Sequence, residues 1–226
     1  MNTRILALDT TSEFGSIALV EDGSVVEEIL LHAPDGFAQI LYDHVARLLA
    51  RYALSAGGLD CFASASGPGS FTGVRVGLAA VKGLAEATGK PVVAVSNLQA
   101  LAWFGKAPLR AVVLDARRGE IYGAVYNEYL DLVQPEVVTR FPAWLSSLPQ
   151  SGVEFVSTDF TPFRAAVADA HFESSPMTVA PRALAGAIGR VAERLYHAGK
   201  ATDPGAIDAN YVRRSDAELF WRDSAR

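Results

Sequence analysis

The chain opens on an apolar run closed by a carboxylate, Ile5-Leu6-Ala7-Leu8-Asp9, the pattern of a strand buried on both faces. Residues 15–20 and 25–31 read as two further strands, joined by the turn Glu21-Asp22-Gly23-Ser24, and three short strands in a row predict an antiparallel meander. Over residues 37–52 the apolar positions Phe37, Ile40, Leu41, Val45, Leu48 and Leu49 recur at spacings of three and four, which predicts an amphipathic helix. A fourth strand at 59–65 leads through a glycine-rich turn to a helix over 71–88, and Gly89 and Pro91 close that helix before a strand at 91–95. Strand, loop, helix and strand in that order predict a parallel crossover. Ser96 caps a short helix through Ala102, and Lys106-Ala107-Pro108 is read as a hinge that ends a first lobe over residues 1–106.

Residues 107–226 begin as the first half does. Ala111-Val112-Val113-Leu114-Asp115 repeats the apolar run ending in Asp, and 121–126 gives an adjacent strand. The repeat predicts an internal duplication with a smaller second lobe, filled out by a short helix near 142–148, a strand at 153–157, a helix around 161–170 and a long helix at 181–197. The fold class is α/β, in two duplicated lobes of mixed sheet with helices.

Composition narrows the function. With 226 residues, 50% of them hydrophobic, the chain can bury a large core. A formal net charge of -5 argues against a large nucleic-acid footprint, so any contact with RNA is expected to run through a partner. Cys61 is alone, so no internal disulfide forms, and its apolar neighbours predict a buried core thiol. The first strand starts too early for an export signal, and no apolar stretch approaches the ~18 residues of a membrane span. A cytoplasmic protein without membrane contact is expected.

Two segments could carry chemistry. The turn Asp9-Thr10-Thr11-Ser12 offers Asp9, Thr10 and Ser12 to a hydrated metal or a phosphate, although such residues also bond their own backbone in ordinary turns. The segment Ser66-Gly67-Pro68-Gly69-Ser70-Phe71-Thr72-Gly73 lies between a strand and a helix, where free N–H groups and the helix dipole favour an anion. Gly67, Gly69, Ser70, Thr72 and Gly73 are therefore candidates for a phosphate or nucleotide loop. The segment lacks both the Walker ending and the Rossmann glycine spacing, and a glycine turn shaped for tight packing is the other reading.

The helix that follows carries Gly73, Gly77, Ala80, Gly83 and Ala87 along one face. Each interior Gly costs about 1 kcal/mol relative to Ala, which points to close backbone approach, inside the lobe or against another chain. His32, His44, His171 and His197 are scattered without a ligand cluster, and no Gly-x-Ser-x-Gly elbow occurs, so no metal site or catalytic constellation is expected.

Three stretches together closely resemble the TsaB (YeaZ) family of bacterial tRNA threonylcarbamoyladenosine synthesis: residues 5–10, the segment from Ser66 to Gly77, and Asp115-Ala116-Arg117-Arg118-Gly119-Glu120-Ile121-Tyr122. The likeness returns at Tyr211-Val212-Arg213-Arg214. It implies an actin, Hsp70 and sugar-kinase type of fold with a reduced second lobe. In active members of that superfold an Asp turn in each lobe grips phosphates. Here Arg117 and Arg118 stand where such members have glycines, so no cofactor is required, independent ATP hydrolysis is not expected, and ATP or ADP would bind weakly. TsaB is similar to TsaD, which transfers the threonylcarbamoyl group and holds a metal through a His-x-x-x-His helix that has no counterpart here.

The resemblance thus implies a non-catalytic scaffold that pairs with a TsaD-like catalytic subunit, works with a TsaE-like ATPase, forms a homodimer when alone, and meets ANN-decoding tRNA through the complex. The first-lobe helices would pack against a second chain through Phe37, Ile40, Leu41, Gly73, Arg75, Val76, Gly77, Ala80 and Gly83, with Phe37 standing where relatives carry a His. A stand-alone ATPase using Asp9 and the glycine loop, and an M22-type glycoprotease, are the competing readings.

Overall fold

The computed structural model describes residues 2–168 and 172–213. Two five-stranded sheets carry the architecture. In the first, β1 (Arg4–Asp9), β2 (Phe14–Glu21), β3 (Ser24–His32), β4 (Cys61–Ala65) and β5 (Val92–Val95) lie in the order β3-β2-β1-β4-β5. In the second, β6 (Leu109–Arg117), β7 (Glu120–Asn127), β8 (Leu132–Arg140), β9 (Val153–Ser157) and β10 (Met177–Val179) lie in the order β8-β7-β6-β9-β10. Each sheet pairs its first three strands antiparallel and its last three parallel, so order and direction repeat strand for strand. The duplication legible in the two apolar runs extends over the whole topology.

Helices α1 (Leu41–Arg51) and α2 (Phe71–Thr88) cover the outer face of the first sheet, and α4 (Phe141–Leu145) and α5 (Arg164–Ala168) follow β8 and β9 as their short counterparts. Helix α1 starts four residues later than the periodicity of 37–52 predicts. Residues 37–40 form a turn in which Ile40 and Leu41 donate to the Phe37 carbonyl. Strands β8 and β10 were not predicted, because β8 is a half-exposed edge strand interrupted by Pro135 and β10 has only three residues.

The remaining two helices cross over. Helix α3 (Asn97–Ala102) sets Leu98 and Leu101 against Val112, Ala124 and Val156 of the second sheet, while α6 (Ala185–His197) sets Ile188 and Val191 against Ala7 and Ala18 of the first. The first lobe even supplies the cap of α6: Ser16 Oγ accepts from the N–H groups of Leu184 and Ala185, and Glu28 Oε1 from that of Gly186. A Cβ on Gly189 would meet Val20 Cγ2 at 2.5 Å, so glycine there lets the helix sit on the sheet. A division at 106/107 separates the two sheets, and the core between them is shared.

The segment read as a hinge is tied down. Glu154, buried in β9, accepts from Lys106 N and Ala107 N at 2.5 and 2.6 Å and from Thr178 Oγ1 at 2.6 Å. Burial alone would raise the Glu154 carboxyl, but these donors and the nearby Arg110 charge outweigh it and hold the group below its usual range. Cys61 is wholly buried in β4, which pushes its thiol up to about 12. No helix among the described residues is long and apolar enough to cross a membrane.

Candidate functional site

A cleft of about 900 Å³ opens between the lobes, and the strand-Asp turns of both, with the glycine loop, line it. In the first turn Asp9 Oδ1 accepts from Thr11 N at 3.0 Å and from Thr11 Oγ1 at 2.7 Å. Asn97, at the start of α3, donates to Thr11 Oγ1 at 2.8 Å and accepts from Gly67 N at 3.0 Å, which stitches the glycine loop to the turn. Burial pushes the Asp9 carboxyl up from its ordinary value, against the hydrogen bonds from Thr11 and Asn97.

Of the candidate loop residues, Asp9, Ser12, Gly69 and Ser70 line the cleft. Thr10 turns away: its Oγ1 donates to the Gly73 carbonyl at 2.7 Å. Thr72 is exposed on α2. The loop's donors are largely engaged within the chain, since Gly67 N bonds Asn97, Ser70 N bonds the Thr11 carbonyl at 2.6 Å, and Gly73 N bonds the Ser70 side chain that caps α2. A Cβ on Gly69 would lie 2.6 Å from the Thr11 carbonyl oxygen, and one on Gly73 only 2.0 Å from that of Thr10. Both glycines admit the β1–β2 turn against the loop and the start of α2. Of the two readings left open above, tight packing accounts for both positions.

The same geometry corrects the proposed partner strip. Gly77, wholly within α2, would meet Thr10 Oγ1 and Ser64 Oγ at 2.6 and 2.8 Å if it carried a Cβ, and Ala80 is buried. Gly73, Gly77 and Ala80 therefore face into the first lobe, not towards a partner. Phe37 and Leu41 are also buried, and the Phe37 ring lies where a Cβ on Gly15 would stand, so Phe37 plugs the core and is not a contact-surface change. Ile40 and Val76 are half-buried; Arg75 and Gly83 are exposed. At 100° per residue, the face opposite the buried one carries Thr72, Val76, Ala79 and Gly83, beside the exposed Tyr42 of α1.

In the second lobe the turn is open. Asp115 Oδ1 accepts from Arg117 N at 2.8 Å, the same local bond as in the first turn, but Asp115, Arg117 and Arg118 are all exposed. Arg117 and Arg118 take positive φ of 65° and 56° in the bulge that ends the β6–β7 pairing. Tyr211 and Arg213 reach the cleft from the tail, and Arg214 lies outside the described residues, as does His171. Two residues were missed from sequence: Asn97, in a segment read only as a helix start, and Glu136, on an unpredicted strand, whose carboxylate accepts from Ser96, Tyr126 and Asn210 beside the cleft. Among the described residues no three His, Cys, Asp or Glu side chains gather as a metal site.

A family model described as "TsaD: tRNA N6-adenosine threonylcarbamoyltransferase" matches residues 32–185. The tRNA threonylcarbamoyladenosine biosynthesis protein TsaB of Bacillus subtilis is 29% identical over 98% of this chain and 99% of its own length. The protein of the same name from Escherichia coli is 38% identical over 55% of each chain. Among solved structures, a Pseudomonas aeruginosa protein described as similar to peptidase YEAZ superposes with a TM-score of 0.78 at 25% identity, covering 93% of this chain and 100% of that one. Component A of the Acidaminococcus fermentans (R)-2-hydroxyglutaryl-CoA dehydratase shares the fold alone, with a TM-score of 0.53 at 9% identity over 85% of this chain and 98% of that one. The two-lobed architecture is of the actin, Hsp70 and sugar-kinase type.

Proposed function

The chain belongs to the TsaD family and to its TsaB (YeaZ) members, proteins of tRNA threonylcarbamoyladenosine biosynthesis, and on that premise we propose that it is a non-catalytic scaffold of the modifying complex. Its partner would be a TsaD-like catalytic subunit, assisted by a TsaE-like ATPase, with tRNA reached through the complex and a second copy of the chain taking the partner's place when it is alone.

The observation that carries this reading is the outward face of α2. Ala79 and Gly83 leave a shallow strip on an 18-residue helix, and the exposed Tyr42 ring borders it, with its Oη 4.0 Å from where a Gly83 Cβ would stand. Small residues on an exposed helix face let a second helix approach closely, and a stable interface of this kind buries on the order of 1,200–2,000 Å². The cleft supports only a modest role for nucleotide. Three of its first-lobe loop donors, Gly67 N, Ser70 N and Gly73 N, are engaged within the chain, and its second-lobe turn presents arginine side chains where a phosphate would need backbone, so ATP or ADP would bind weakly and without turnover.

The test is Gly83→Arg. It should leave circular dichroism and melting unchanged, because that Cβ meets only the Tyr42 hydroxyl, at an ordinary contact distance of 4.0 Å, while abolishing self-association and binding to the TsaD-like partner in gel filtration. Retained binding by the folded variant would sink the assignment of this face.

A further inference from the structure

The last described residues cross the mouth of the cleft, and Asn210, Tyr211 and Arg213 each grip a different element. Asn210 N donates to the Ser66 carbonyl at 2.8 Å, at the start of the glycine loop. The Tyr211 ring stacks on Phe71 at 4.8 Å between centroids, and its Oη accepts from Arg75 Nε at 3.2 Å, both at the first turn or two of α2. Arg213 then reaches the other lobe. It donates to the Ala116 carbonyl at 2.9 Å, pairs with Glu120, and lies 5.7 Å from the centre of the Tyr122 ring. Four residues thus run from the first-lobe loop, over α2, to the β6–β7 hairpin of the second lobe.

Glu136 ties the start of this crossing to both lobes at once. Its carboxylate accepts from Ser96, the cap of α3; from Tyr126 of β7 at 2.5 Å; and from Asn210 Nδ2 at 2.5 Å. Across the cleft, the opposite rim has a separate clasp. Arg182, from the segment joining β10 to α6, lies 4.2 Å from the centre of the Phe14 ring, which in turn stacks on His32 at 4.6 Å. Beneath both rims the lobes share the core of α3 and α6, which can act as an axle but leaves the mouth free to widen unless something spans it.

We propose that residues 210–213 are a strap that holds the two lobes closed over the cleft, anchored at Glu136 and fastened at its far end by Arg213. Its grips are suited to release rather than permanent closure. Tyr211 is 44% exposed, and the Arg213–Glu120 pair is only partly buried, so water and salt reach it through the half-exposed Glu120. Because Tyr211 and Arg75 engage Phe71, the same strap couples the width of the cleft to the first turn of α2.

The strap can be tested by a spin-label distance across the mouth, with labels at Glu13→Cys and Arg118→Cys, exposed residues that line opposite sides of the cleft. Cys61 is fully buried and can stay in place. The parent should give a single narrow distance distribution. Tyr211→Ala with Arg213→Ala should lengthen it by several ångströms and broaden it, and Arg213→Glu alone should shift it in the same direction. Adding Glu120→Arg to Arg213→Glu should restore the parent distribution. A distribution that stays superimposable in either folded strap variant overturns the proposal, and so does a charge reversal that fails to restore it. Diluting the doubly labelled chain into an excess of unlabelled chain keeps the measured distance within one copy, so pairing of two copies does not enter the result.

Discussion

Two turns occupy equivalent places in the duplicated lobes, and they have been put to different uses. After β1, Asp9 is buried, bonded by Thr11 and Asn97, and covered by the glycine loop; after β6, Asp115 makes the matching bond to Arg117 N and stays at the surface. The surroundings account for the difference. The first lobe follows β4 with an 18-residue helix that Gly69, Gly73 and Gly77 bring hard against the turn, whereas the second lobe has no glycine between the end of β9 and Ala168 to allow the same approach. A turn made rigid by packing behind it supports a long helix whose other face is turned away from the lobe. A turn without that support keeps the local hydrogen bond and loses the close-packed loop. The lesson is that glycines in a loop of this kind can serve the helix instead of a ligand.

The largest expected effect comes from breaking the packed turn. Gly73→Ala places a methyl 2.0 Å from a backbone oxygen that cannot step aside, so it should lose about 3 kcal/mol or more in urea unfolding. In the open turn, a Cβ on Gly119 meets nothing within 4 Å and strains only a positive φ of 76°. Gly119→Ala should therefore lose only about 1 kcal/mol by the same measurement. Equal losses at the two positions would remove the contrast.

Between these lies Glu154→Gln. The buried carboxylate receives three hydrogen bonds, and an amide must turn its NH₂ towards one set of donors, so the variant should lose on the order of 2 kcal/mol at pH 7. The folded-state carboxyl sits below its usual value of 4.5, so the unfolded chain binds the proton more readily and the stabilisation is present above that pH. The deficit of the variant should shrink as pH falls below 4.5, and a flat profile of urea midpoints against pH would contradict the assignment.

Asp9→Asn should give the smallest effect and the opposite pH dependence. The Asp9 carboxyl is raised by burial, so in the range above its usual value of 3.8 the folded chain holds the proton that the unfolded chain has released, and stability falls as pH rises through the folded value. The asparagine variant keeps an acceptor for Thr11 and carries no charge. It should equal or exceed the parent at pH 7, with an advantage that vanishes on acidification. A midpoint below the parent's at neutral pH would mean that the charge is needed.

Much of this contrast was legible before the structure. The apolar runs ending in Asp9 and Asp115 announced the duplication, and the glycine-rich turn before Phe71 with Gly89 and Pro91 after Thr88 gave α2 its bounds. What could not be read was the rotation of that helix. Gly73, Gly77 and Ala80 form one stripe, while Ala79 and Gly83 belong to another, and with small residues on both faces the composition does not say which stripe is inside. Phe37 carried the same ambiguity, since an apolar residue before a helix can cover a core or wait for a partner. Asn97, Glu136 and Asn210 join segments far apart in the chain, and polar residues of that kind leave no periodic trace. The crossing of α3 and α6 between lobes was likewise invisible, because one read only as a short capped helix and the other only as a long helix of the second lobe.

The claim at the centre of the account is that this chain contributes a surface to tRNA modification and leaves the chemistry to its partners. Reconstituted threonylcarbamoylation of tRNA, with the TsaD-like and TsaE-like subunits present, tests it directly when two folded variants are compared. Asp9→Asn combined with Asp115→Asn should retain modification near the parent rate, and Gly83→Arg should abolish it. The reverse pattern, with modification lost on removing the two turn charges and kept when arginine stands on the outer face of α2, would contradict the account.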